Sequence, residues 1–175
     1  MANLKEIRGR IKSIKSIQKV TSAMKMVAAA KLRTSQSNME QCRPYSHKVS
    51  MLMNDLLIEC NNTPFDLMEK REISKTLYVV ITSDRGMAGA FNTNILKKAQ
   101  SDIDLNGKNG AMIISIGKKS RDYFKNRNFE LVSEYIDFWG DLNFDHAINI
   151  GEEIINLFTS GKVDKVKVYY NEFKN

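Results

Sequence analysis

A single segment limits what this chain can fold into. Residues 3–58 contain no glycine after Gly9 and only one proline, Pro44, and they are rich in alanine, lysine, methionine, leucine and glutamine, which favour helix. As one helix they extend roughly 80 Å, which is longer than a small domain needs. The sequence therefore predicts a long N-terminal helix that projects from a domain. A kink or division is expected at Pro44, and an end is expected at residues 61–64.

The positive charge of the protein is concentrated in this segment. Residues 1–33 carry nine basic side chains and one acid, Glu6, which gives a net charge of +8. The whole chain of 175 residues carries +7, so the other 142 residues together carry −1. A nearly neutral body with a strongly basic arm predicts contact with an acidic partner.

The basic segment is also amphipathic. Its apolar residues lie on one face in the first turns and then on a face rotated by more than a right angle. The two sets are Leu4, Ile7, Ile11 and Ile14, followed by Ile17, Val20, Met24 and Val27. An apolar stripe that winds around a helix predicts a partner helix coiled about it.

The pattern by itself leaves three alternatives open. A basic amphipathic helix is often solvated and docked on its own domain. It also suits a nucleic acid, since lysine and arginine gain from phosphate contacts, or a membrane surface. The segment has no aromatic residue before Tyr45, so it offers neither base stacking nor aromatic membrane anchors.

The remainder of the chain alternates between strand and helix patterns. The predicted strands are 76–82, 111–116, 129–136 and 166–170, and the predicted helices are 92–103, 118–127 and 143–159. This alternation predicts an α/β fold with a Rossmann-like, mostly parallel sheet. The predicted domains are a long shaft helix at 1–60 and an α/β domain at 61–175.

The last predicted helix carries many apolar residues. Those expected to face the core are Phe144, Ile148, Ile154, Ile155 and Phe158. The acids that precede and begin this helix fit a loop and a helix start, where negative charge is favoured.

The loop after the first predicted strand lies where open α/β sheets often bind phosphate. However, Gly86 and Gly89 do not form GxGxxG, and the chain has no GxxxxGK[ST]. Asp84 and Arg85 suit either a mutual ion pair or a cap on the next helix. The favoured interpretation is a tight turn in which the glycines adopt positive φ.

Other sites for chemistry are not indicated. The two cysteines, Cys42 and Cys60, and the two histidines, His47 and His146, form no recognisable metal or nucleophile pattern, and there is no GxSxG elbow. No apolar run approaches the length of a membrane span, and the N-terminus has no secretory signal. We expect no active site and no cofactor.

Two stretches resemble a known family. Residues 7–33 read IRGRIKSIKSIQKVTSAMKMVAAAKLR, and residues 83–90 read SDRGMAGA. In order and spacing they resemble two signatures of the gamma subunit of F-type ATP synthase, and Arg43-Pro44-Tyr45 fits between them. The second stretch departs from the family, which commonly has Leu-Cys where this chain has Met87-Ala88.

The resemblance implies a rotor shaft. In that family the N-terminal helix pairs with a C-terminal helix and threads the alpha/beta catalytic hexamer, while the α/β domain lies beside the epsilon subunit and the membrane c-ring. Such a central-stalk subunit couples proton translocation to ATP synthesis and catalyses nothing itself. A bacterial plasma membrane, on its cytoplasmic face, is the implied location. The family continues past residue 175 with the C-terminal helix, so we expect a fragment that does not couple by itself.

The resemblance also implies roles for particular residues. Those expected to contact the catalytic hexamer are Ile7, Arg8, Ile11, Ile14, Lys19, Met24, Lys25, Met26 and Val27. Those expected at the foot, near the c-ring, are Arg43, Pro44 and Tyr45. Those expected to form a structural turn are Asp84, Arg85, Gly86 and Gly89.

Overall fold

The computed structural model describes residues 3–59, 66–68 and 71–173. By its contacts the chain divides into two compact units, Met1–Thr63 and Pro64–Asn175. The first unit is one helix, α1, at Leu4–Glu59. The predicted helix end at 61–64 and the predicted domain boundary lie outside the described residues. Among the described helices, none combines the length and the apolar character that a membrane crossing requires.

The long helix predicted from the sequence is confirmed, and it continues through Pro44. The alternative in which the proline divides the helix is therefore wrong. Proline removes one N–H donor and crowds the carbonyl one turn earlier, but the unbroken hydrogen bonding on both sides outweighs that local cost. A bend at Pro44 stays a prediction. Apart from Gln36 and Met39, the side chains described for residues 3–57 are exposed.

The second unit is an α/β fold. Its strands are β1 (Thr76–Ile81), β2 (Ala111–Ile116), β3 (Leu131–Tyr135) and β4 (Lys165–Tyr169), and its helices are α2 (Phe91–Asn106), α3 (Lys118–Lys125) and α4 (Phe144–Thr159). The sheet order is β3-β2-β1-β4, and all three pairings are parallel. The predicted parallel α/β fold is thus confirmed. The carboxyl ends of β1 and β4 form the point where the strand order changes direction.

Helices cover both faces of the sheet. Successive residues of a strand point to opposite sides, so each central strand contributes side chains to two hydrophobic cores. Tyr78, Val80 and Ile113 face one side, where they pack with buried residues of α2 and with Phe124 of α3. Leu77, Val79, Ile114 and Ile116 face the other side and pack with Leu157 of α4. The near-continuous apolar strands of the sequence reflect burial on both faces.

Helix α4 departs from the sequence-based expectation. Ile154 and Phe158 pack toward the sheet as predicted, but Phe144, Ile148 and Ile155 are 72%, 40% and 44% exposed, so their predicted core position is wrong. The residues of α4 that do pack on the sheet are Ile150, Ile154, Leu157 and Phe158. The helix carries two apolar stripes, and a helix laid on a sheet buries only one of them.

Candidate functional site

The predicted contact surface for a partner lies on α1. All of its residues are on the helix and exposed; they are Ile7, Arg8, Ile11, Ile14, Lys19, Met24, Lys25, Met26 and Val27. The apolar ones range from 43% exposed at Ile7 to 68% at Met26. Burying one such side chain contributes roughly 1.5–3 kcal/mol. α1 therefore presents apolar surface whose burial by a partner would strongly favour binding.

Most of the positive charge in the first half of α1 has no acidic partner within residues 3–33. The single acid in its first 30 residues, Glu6, pairs with Arg10, with 2.8 Å between Oε1 and Nη2. That pair is exposed and contributes little to stability. Within residues 3–33, Lys19 and Lys25 have no acidic neighbour in the structure. The first half of the helix therefore projects a positive field that favours an acidic partner.

The residues predicted for the foot lie in the second half of the same helix. Arg43, Pro44 and Tyr45 are all within α1, and Tyr45 is 70% exposed. Residues two apart lie about 200° around a helix, so Arg43 and Tyr45 are on nearly opposite sides of α1. What contacts them stays a prediction.

The turn after β1 is held by the Asp84 carboxylate. Asp84 accepts hydrogen bonds from the backbone N–H of Lys118, at 2.8 Å, and of Asp137, at 3.0 Å. Lys118 is the first residue of α3, whose N-cap, Gly117, has no side chain to offer. Asp84 thus substitutes for a capping residue and also ties down the segment after β3.

This arrangement corrects the sequence-based interpretation of Asp84. It neither caps α2, whose N-cap Ala90 has no side-chain bond, nor forms an ion pair with Arg85 in the described part of the chain. The carboxyl ends of parallel strands meet at one edge of a sheet. Asp84 is therefore within reach of the segments that follow β2 and β3.

Neighbouring side chains complete the turn. The Ser83 N–H donates to Asn92 Oδ1 at 3.0 Å, and Asn92 Nδ2 donates to Ser83 Oγ at 2.9 Å. Thr82 Oγ1 accepts from the Ser120 N–H at 2.8 Å. Three N–H groups in the first turn of α3, those of residues 118, 119 and 120, are therefore bound by protein oxygens, which favours a structural role for this turn over anion binding.

The glycines of the turn only partly match their predicted conformations. Gly89 has a φ of +56°, as expected for a left-handed position. Gly86 does not take a positive φ, which corrects the prediction; its neighbour Met87 does, at 59°. A Cβ at Gly86 would lie 3.3 Å from Lys119 Cε, so this glycine gives room to a flexible side chain.

Two polar clusters were missed by sequence reasoning. On one face of the sheet, Asp102 of α2 binds Lys167 and Tyr169 of β4. The hydrogen bond from Lys167 is the main reason why the pKa of Asp102 lies below its ordinary value. The partners are more than sixty residues apart in sequence, and no local motif connects them.

On the other face of the sheet, Glu153 of α4 accepts hydrogen bonds from Ser133 and Tyr135 of β3. Burial, together with the hydrogen bond to Glu153, raises the pKa of the Tyr135 hydroxyl to about 12. Both clusters join a helix to an edge strand. In the described residues, no group of His, Cys, Asp or Glu side chains is arranged to hold a metal ion.

Taken together, these observations define an α/β protein with a long N-terminal helix whose basic and apolar side chains are exposed. The chain belongs to the ATP synthase family, whose model matches residues 3–175. It is 45% identical over 181 residues to the ATP synthase gamma chain of Chloroherpeton thalassium, an alignment that covers 100% of this chain and 60% of that relative. It is 38% identical over 175 residues to the gamma chain of Desulforamulus reducens, covering 100% of this chain and 61% of the relative. The chain thus spans about three fifths of the length of these relatives.

Solved structures give the same relationship. The central stalk and c-ring structure of Tetrahymena thermophila mitochondrial ATP synthase contains a chain with 27% identity and a TM-score of 0.69, covering 89% of this chain and 66% of that one. A chain in the rotor structure of Euglena gracilis mitochondrial ATP synthase shares the fold, with 22% identity and a TM-score of 0.57. The alignment covers 96% of this chain and 56% of that one. The family does not support the alternative of a nucleic-acid-binding module.

Proposed function

We propose that the chain acts in the central stalk of an ATP synthase, as a gamma chain that couples proton translocation in the membrane sector to ATP synthesis in the alpha/beta hexamer. The observation that carries this proposal is the family match over residues 3–175. The exposed, basic and apolar surface of α1 supports it, because a shaft must offer its side chains to the subunits around it.

The chemistry of α1 suits a contact that slides. Met24 and Met26 are exposed and flexible, and thioether side chains adapt to changing neighbours. Lys19 and Lys25 have no fixed acidic partner in residues 3–33, so they attract acidic segments without being locked to one. Breaking a buried ion pair costs several kcal/mol, and exposed lysines avoid that cost at each rotational step.

The remaining partners follow from the same proposal. The foot residues Arg43, Pro44 and Tyr45 contact the c-ring, and the α/β unit lies beside the epsilon subunit. The turn around Asp84, with Arg85, Gly86 and Gly89, keeps the α/β unit stiff, so that torque is not lost in bending. The subunit is peripheral to the membrane, on the cytoplasmic side of a bacterial plasma membrane, and has no active site or cofactor of its own.

The proposal is tested by assembly. Purified alpha and beta subunits without their own gamma chain are mixed with this chain and separated by size, at low and at high salt. We expect one chain per alpha/beta hexamer and weaker binding as salt screens the basic helix. Reversing the charge of Lys19 and Lys25 to glutamate lowers the bound fraction, whereas Lys97→Glu, at an exposed position of α2, leaves it unchanged.

Two results would count against the proposal. One is a chain that stays unbound at every salt concentration. The other is equal loss of binding from the α1 reversals and from Lys97→Glu, because that would show a general charge effect and no shaft contact.

In a complete complex, Met24→Lys is expected to lower the ATP made per proton by placing a further cation against the beta subunits.

A further inference from the structure

One flank of α4 carries an apolar stripe that the residues described by the structure leave exposed. Phe144, Ile148, Gly151 and Ile155 are spaced by four, three and four residues and therefore share one side of the helix. The three large side chains are exposed. We call the surface formed by these four residues the α4 stripe. It is about 17 Å long, which is the length of three turns of a helix.

No contact with the described residues explains Gly151, which lies near the centre of the stripe. It lies in the interior of α4, where glycine is less stable than alanine because its backbone loses more freedom. A Cβ added there would meet no atom within 4 Å in the part of the chain that the structure describes, so no described neighbour requires the small residue. A glycine in an apolar stripe instead lets the backbone of a partner approach closely.

The segment that contains the stripe has the opposite charge to the whole protein. Residues 137–159 include five acids and no lysine or arginine, whereas the whole chain has a net charge of +7. The acids are Asp137, Asp141, Asp145, Glu152 and Glu153. Asp137 pairs with Lys118, with 2.7 Å between Oδ1 and Nζ, and Glu153 is bound by β3.

Three acids remain for a partner. Asp141, Asp145 and Glu152 are exposed, and in the described part of the chain they form no ion pair. Asp145 and Glu152 each follow a residue of the stripe, so they lie about 100° around the helix and line its solvent side. The surface is thus an apolar ridge with an acidic border.

We propose that the α4 stripe binds a basic amphipathic helix of another polypeptide, one with lysine or arginine beside a narrow apolar face. Apolar burial on Phe144, Ile148 and Ile155 drives the contact, Gly151 sets the close approach, and Asp145 and Glu152 select for positive charge. A second copy of α4 does not fit, because it would bring the two acidic borders together. The inference does not depend on the proposed function, since it rests on α4 alone.

Trp139 provides a reporter for this contact. It is the only tryptophan, it is 40% exposed, and it stacks on Phe138 with 4.7 Å between ring centroids. Phe138 in turn stacks on His146 in the first turn of α4, at 5.2 Å. A helix seated on the first turns of α4 changes the surroundings of Trp139 and therefore its emission.

The test is a fluorescence titration of the full chain with a designed peptide. The probe is a tryptophan-free amphipathic helix of leucine, alanine and lysine, about 18 residues long, and the matched control has glutamate in place of every lysine. We expect a saturable change in Trp139 emission with the lysine peptide, which weakens with salt. We expect no such change with the glutamate peptide, whose charge suits the basic helix α1 instead. Gly151→Leu and Ile148→Ser each weaken binding at least about tenfold, whereas Leu105→Ser, at an exposed site on α2, does not.

Thermal unfolding of each variant checks that α4 is intact. If Gly151→Leu fails to fold, Gly151→Ala is titrated in its place, because it adds only one methyl group to a helix that has room for it. The proposal is overturned if Gly151→Ala and Ile148→Ser bind the lysine peptide as tightly as the unaltered chain, or if both peptides change Trp139 emission equally. It is also overturned if the chain self-associates and Ile148→Ser abolishes that association, because the stripe would then be covered by a second copy.

Discussion

Removal of the Asp84 carboxylate is the perturbation whose effect follows most directly from the structure. Asp84→Ala deletes the acceptor of two backbone N–H groups, those of Lys118 and Asp137. The N-cap of α3, Gly117, has no side chain, so Asp84 is the side-chain partner of the Lys118 N–H, while Thr82 binds the Ser120 N–H in the same turn. The substitution therefore leaves the start of α3 and the segment after β3 without their shared partner.

The expected cost is about 2–3 kcal/mol of unfolding free energy. Loss of a helix cap typically costs about 1 kcal/mol, and a hydrogen bond to a charged group contributes about 1.5–3 kcal/mol. Asp84 is half-buried, so water replaces part of what is lost and the sum lies toward the lower end. With a urea slope of about 1.5 kcal/mol per molar, the unfolding midpoint falls by roughly 1.3–2 M.

The assay is urea unfolding of the full chain followed by Trp139 emission, since this residue lies two positions after Asp137 in the α/β unit. Asp84→Asn keeps one good acceptor oxygen and is expected to fall between the unaltered chain and Asp84→Ala. Arg85→Ala, at the exposed neighbour, is the matched control and should change stability by less than about 0.5 kcal/mol. If Asp84→Ala and Arg85→Ala unfold at the same urea concentration, the capping role assigned to Asp84 is refuted.

Three further substitutions test other parts of the fold. Gly117→Ala places a Cβ 2.1 Å from the Thr82 carbonyl oxygen and should lower the free energy of unfolding by more than about 3 kcal/mol. Gly107→Ala, at a glycine that also has a positive φ but has open space around it, should lower it much less. Equal losses of stability in the two variants would contradict the steric argument. Gly151→Ala should raise stability by about 0.5–1 kcal/mol, and an unchanged thermal midpoint would mean that the helix needs this glycine. The raised pKa of Tyr135, about 12 against an ordinary 10, means that its protonated hydroxyl stabilises the fold fully below pH 10, and that this contribution disappears as pH rises through about 12. Tyr135→Phe should therefore make unfolding less sensitive to pH across that window, and an identical pH profile for the two proteins would contradict the role of its bond to Glu153.

The strands and their parallel pairing were predictable because both depend on local pattern. Thr76–Ile81 and Ala111–Ile116 are short apolar runs separated by a helical pattern, and burial on both faces of the sheet requires such runs. Their boundaries were found to within a residue. The long α1 was equally predictable, since it depends on helix formers and on the scarcity of glycine and proline.

The features that were not predicted depend on distance in sequence. Asp84 finds its two partners 34 and 53 residues further along the chain, and only the order of the strands brings them together. In α4, periodicity shows two apolar stripes but does not tell which one faces the sheet, so Phe144 and Ile155 were placed in the core although they are exposed. The choice is made by how the helix is laid across β1 and β2, which no local pattern encodes.

The central claim is that the first half of α1 is enclosed by the catalytic subunits. A direct measurement uses the chain with Cys42 and Cys60 replaced by serine and one new cysteine, either Met24→Cys on α1 or Leu105→Cys on α2, both at exposed positions. The rate of maleimide labelling is then compared with and without alpha/beta hexamer. The account predicts that assembly slows labelling at position 24 at least about tenfold and leaves position 105 unchanged. Labelling at position 24 that proceeds equally fast in the assembled complex would contradict it.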